Sequence, residues 1–127
     1  GKWVRTALEA SPLLTRADAR ADSTALLPRH TPARVVAAVG SWYRVRLPDG
    51  TTGYLAVRAT EPAESAVRMA SLAGSTPLLA LPGGGSRDEF ILTSEGRHSI
   101  LDVLGRFGGF LMVRTASGQA GWIEGDA

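Results

Sequence analysis

The chain contains no cysteine. That absence excludes disulfide staples, thiolate zinc sites and a thiol nucleophile. Histidine is scarce as well, with two in 127 residues, His30 and His98. They stand at equivalent places of an internal repeat, so they do not make the clustered ligand set that a metal needs. Each reads as a polar turn residue. Lysine occurs once, at Lys2, and the remaining basic residues are arginines. The formal net charge is only +2, and acids and arginines are interspersed. No basic stripe for nucleic acid results. No apolar run approaches the length of a membrane helix, and no signal-peptide pattern is present, so membrane insertion is not expected. No serine lies in a Gly-x-Ser-x-Gly elbow. Gly83-Gly84-Gly85 lacks the Lys-Ser/Thr of a phosphate loop and reads as a loop tip. The carboxylates sit on turns without the apolar surroundings that would raise a pKa for acid catalysis. The expectation is no catalytic residue, no metal and no cofactor.

The most informative stretch runs from Gly40 to Ala56. Val45 and Leu47 alternate with Arg44 and Arg46, the period of a strand with one apolar face and one charged face. Pro48-Asp49-Gly50 then supplies a tight turn, with Gly50 able to take positive φ. Gly53 before Tyr54 marks a second bend or a close backbone approach.

This stretch occurs twice. A shift of 68 residues aligns residues 29–56 with residues 97–124 without a gap. Arg29, His30, Val35, Gly40, Val45, Arg46, Gly50 and Gly53 fall on Arg97, His98, Val103, Gly108, Val113, Arg114, Gly118 and Gly121. Trp42 falls on Phe110, Tyr54 on Trp122 and Leu55 on Ile123. Upstream, Pro12-Leu13-Leu14 meets Pro77-Leu78-Leu79 at a shift of 65, which places extra residues of the second copy in the loop 83–88. Val4-Arg5 and Val67-Arg68 align at a shift of 63. A period of this length is too long for a solenoid repeat and reads as two copies of one small domain.

The coarse reading is all-β. Residues 3–14 give an extended opening segment and a first strand. The charged stretch 16–23 gives a long loop, residues 25–28 start the next strand, and residues 33–39 form a central strand. Residues 59–65 read as a linker, with Thr60 as a candidate cap for a short helical turn. The reading then leaves helix or extended chain open before an extended segment over 67–72. Phe90-Ile91-Leu92, residues 99–104, 110–115 and 121–123 complete the second copy.

Several motifs carry a family resemblance. They are Leu27-Pro28-Arg29-His30-Thr31, the valine strand 33–36, Trp42-Tyr43-Arg44-Val45 and the hairpin Asp49-Gly50 to Gly53-Tyr54-Leu55. Together they resemble the bacterial SH3 (SH3b) domain, and both copies do so. His30 and His98 stand where that family has a turn glycine. Tyr54 and Phe110 each replace a tryptophan. The family's asparagine-valine-arginine signature is reduced to Leu13-Leu14-Thr15-Arg16. The resemblance implies two tandem SH3-like β-barrels joined by a short linker, with the first over residues 1–60 and the linker and second over 61–127. It implies an extracytoplasmic, non-catalytic module that binds bacterial cell-wall peptidoglycan or its peptides. Two alternatives stand beside it. One is a protein-interaction or scaffolding module. The other is a pair that regulates a catalytic domain absent from this chain.

The candidate ligand-binding residues are Trp42, Arg44, Arg46 and Tyr54 in the first copy and Phe110, Arg114 and Trp122 in the second. The aromatics either plug a small core or line a groove on which a sugar or peptide stacks. The arginines either solvate a strand face or pair a ligand carboxylate.

Overall fold

Period-two alternation in Trp42–Arg46 produces a strand whose Val45 is fully buried while Arg44 and Arg46 are exposed. The computed structural model describes residues 2–72, 76–82, 91–95 (as backbone) and 100–125. The chain's regular secondary structure there is β-strand apart from one 3-10 turn. Of the residues discussed above, His98, Arg97, Ser99, Phe90 and the loop 83–88 lie outside the described residues.

The chain divides into two units, Gly1–Glu64 and Ser65–Ala127. The strands of the first are β1 (Trp3–Thr6), β2 (Ala10–Leu14), β3 (Ser23–Pro28), β4 (Pro32–Val39), β5 (Trp42–Arg46), β6 (Thr52–Ala56) and β7 (Thr60–Pro62). They form one antiparallel sheet in the order β3-β2-β6-β5-β4-β1-β7. The second unit holds β8 (Arg68–Ser71), β9 (Thr76–Leu79), β10 (Ile91–Glu95), β11 (Ile100–Phe107), β12 (Phe110–Arg114) and β13 (Ala120–Glu124). Its order is β10-β9-β13-β12-β11-β8. The all-β expectation holds.

The two sheets share one register. Leu14 faces Tyr54 as Leu79 faces Trp122. The β4–β5 ladder shifts between Val35 and Ala37, and the β11–β12 ladder shifts between Val103 and Gly105, the equivalent pair. A bulge repeated at one position is a built feature, since it bends both sheets in the same place. The cores match as well. Leu13, Val45 and Leu55 are buried in the first unit, and Leu78, Val113 and Ile123 in the second.

Three local readings change. Thr60–Pro62 is not linker. It pairs with β1, and Glu61 on it bridges the buried guanidinium of Arg5. Thr60 does not start a helix. Its hydroxyl donates to the Val57 carbonyl at 2.9 Å and closes the 3-10 turn Val57–Ala59. The opening strands pair differently from the 63-residue alignment. Val4 faces Ala33 and Ala70 faces Leu101, so Val4 corresponds to Ala70 and not to Val67.

The hairpin turns follow the sequence closely. Gly50 and Gly118 donate to the Leu47 and Thr115 carbonyls at 2.9 Å, with φ of 94° and 90°. Asp49 Oδ1 accepts from the Thr51 amide at 2.9 Å. His30 also takes positive φ, 70°, where the resembled family has glycine. A Cβ on Gly118 would meet nothing within 4 Å, so only the backbone penalises substitution there. Gly118→Val is expected to cost about 1–2 kcal/mol. A denaturant titration that gives equal midpoints for the variant and the parent would contradict this.

Candidate functional site

The first unit gathers four of the proposed residues on one face. Trp42, Arg44 and Arg46 share a face of β5 because side chains alternate along a strand. Their cross-strand neighbours on β6 are Ala56, Tyr54 and Thr52. On β4 they face Val39, Ala37 and Arg34. Trp42 and Tyr54 are half-buried, and the three arginines are exposed. Arg34 and Arg46 stand directly opposite each other, an arrangement that destabilises a sheet by like-charge repulsion. Arg34 lies over the Trp3 ring, 5.2 Å from its centroid. The face is thus aromatic and basic.

Beside Trp42 this face opens into a cavity of about 190 Å³. Its buried lining includes Ser11, Leu14 and Leu55, and its exposed lining includes Leu8 and Arg58. Ser11 is 1% exposed, and its hydroxyl makes no hydrogen bond. No pattern in the sequence marks Ser11 or Arg58. Serine in a strand and arginine after one carry no distinguishing pattern, and the cavity forms only where β2 meets the end of β6.

The second unit does not reproduce the basic face. Arg114 stands opposite Asp102, and the two form an ion pair of 2.8 Å. Met112 replaces Arg44, Trp122 replaces Tyr54, and both are buried. The bulge residue Val36 is 48% exposed, whereas its counterpart Leu104 is 3% exposed. Phe110 is half-buried. Trp122 belongs with the packed side chains, and Arg114 already has a carboxylate. No group of three or more potential metal ligands occurs among the described residues.

No protein-family model matches the chain, and no curated protein matches it. Among solved structures the fold is similar to that of NlpC1 from Trichomonas vaginalis, with a TM-score of 0.50 and 11% identity. The likeness covers 97% of this chain and 43% of that one, so the chain spans less than half of NlpC1. At this identity the likeness concerns the fold, and it is consistent with an SH3-like architecture. No helix among the described residues is long and apolar enough to cross a membrane.

Proposed function

We propose that the chain is a non-catalytic binding module for bacterial cell-wall peptidoglycan or its peptides, working outside the cytoplasm. The observation that carries the reading is the open, basic and aromatic face of Trp42, Arg44, Arg46 and Tyr54 on the first sheet. Opposed arginines cost stability on a bare face, and an anionic ligand offsets that cost. The SH3b-like motifs of the sequence and the fold likeness to NlpC1 support the same direction. A second reading draws on the coverage. More than half of NlpC1 has no counterpart here, which suits a pair that positions or regulates a separate domain.

Sedimentation with insoluble peptidoglycan tests the first reading. The chain is expected in the pellet at low salt and in the supernatant at high salt, because exposed charge contacts are screened. A chain that stays in the supernatant with every wall preparation at low salt would leave the positioning reading in its place.

A further inference from the structure

The cavity beside Trp42 has features that the basic face does not explain. An apolar cavity of about 150 Å³ already takes a benzene-sized guest. At about 190 Å³ this one has room for one or two small aliphatic groups. Leu14, Leu55 and Ala59 make its buried lining apolar. A buried hydroxyl without a partner is costly, and Ser11 presents one among those side chains. Arg58 adds a cation on the exposed side.

The second copy gives an internal contrast. The 68-residue shift puts Glu124 at the place of Ala56, and each faces the first residue of the preceding strand, Phe110 and Trp42. That lining position therefore changes from neutral to acidic. The two copies have diverged in charge while keeping one register.

We propose that the first-unit cavity binds the C-terminal residue of a peptide, a small aliphatic residue with a free carboxylate. The aliphatic side chain packs on Leu14, Leu55 and Trp42. The Ser11 hydroxyl donates to a peptide carbonyl, which supplies its missing partner. The carboxylate pairs with the Arg58 guanidinium at the mouth. This deepens the wall-peptide reading by naming the end of the peptide that is held, and the test keeps the two separable.

The probe is N-acetyl-alanyl-alanine in its L,L and D,D forms, as free acid and as C-terminal amide. It is titrated into the full chain while the tryptophan indole resonances are followed. At least one stereoisomer of the free acid should shift the Trp42 indole saturably in the millimolar range and leave Trp122 unmoved. The amide should bind about tenfold more weakly or worse, since a charge-assisted contact is lost. Arg58→Asp, which reverses the charge at the mouth, should abolish the shift. Ser11→Ala should weaken binding without lowering the melting temperature, because it removes an unsatisfied group. No saturable shift with either stereoisomer would overturn the proposal. Equal binding of acid and amide, or unchanged affinity in Ser11→Ala, would overturn it too. If the dipeptide binds while the chain ignores every wall preparation, the wall reading fails and the cavity assignment stands. If the wall is bound and the dipeptide is not, the reverse holds.

Discussion

Replacing Gly121 by alanine should lower the melting temperature of the second unit by roughly 12–24 °C, although only a methyl group is added. A Cβ at Gly121 would lie 2.8 Å from the Leu79 carbonyl oxygen and 2.8 Å from Leu78 Cγ. Neither atom can move aside. The carbonyl belongs to the strand that pairs with β13, and Leu78 is fully buried in the core of the unit. Gly53 repeats the arrangement, with Leu13 Cγ at 2.5 Å and the Leu14 carbonyl oxygen at 3.0 Å. Overpacking of this kind costs about 3 kcal/mol, the upper part of its usual range. A domain of this size shifts by about 4–8 °C for each kcal/mol. The requirement at Gly121 is space, whereas at Gly118 it is a backbone angle. Gly121→Ala should accordingly be far more damaging than Gly118→Ala, where the added methyl meets open solvent. Thermal melts followed through Trp122 fluorescence distinguish the two, and similar melting temperatures for both variants would refute the crowding argument.

These glycines show what the sequence could and could not convey. Gly53 and Gly121 are legible as special because each interrupts an apolar-alternating strand just before an aromatic. Whether the reason is a bend or a close approach depends on which strand lies across. The repeat was legible over residues 29–56 and 97–124 because paired strands with a shared bulge must keep their spacing. The register of the opening strands was not legible, because Val67-Arg68 matches Val4-Arg5 by residue type while hydrogen bonding sets Ala70 in the place of Val4. β7 was hidden by composition. Thr-Glu-Pro contains a proline, which a sheet accepts at an edge, and β7 is an edge strand. Its Glu61 meets Arg5 across most of the first unit, a pairing that no local pattern announces. Arg114 shows the same limit at the site. Alternation predicts correctly that it lies on the face away from Val113. Only the register across the bulge of β11 reveals that Asp102 stands opposite it.

That difference in pairing separates the arginines of the two copies by expected effect. Arg44→Ala with Arg46→Ala should weaken retention on peptidoglycan by roughly 30–150-fold, from two charge-assisted contacts of about 1–1.5 kcal/mol each on an exposed face. Stability should hold or rise slightly, because Arg46→Ala removes the repulsion with Arg34 across the β4–β5 ladder. Asp102→Ala with Arg114→Ala is the matched control. It removes one cross-strand ion pair, with the two side chains 29% and 33% exposed, and costs less than about 1 kcal/mol. Retention should be unchanged in that variant, since its arginine was already satisfied by a carboxylate of its own sheet. Sedimentation of both double variants beside the parent chain, with melting temperatures measured on the same samples, decides the matter. Equal losses in the two variants would mean that both copies engage the ligand and that the divergence in charge between them has no functional consequence. A loss confined to Arg44 and Arg46 places binding on the first sheet, where like charges face each other without an acid between them.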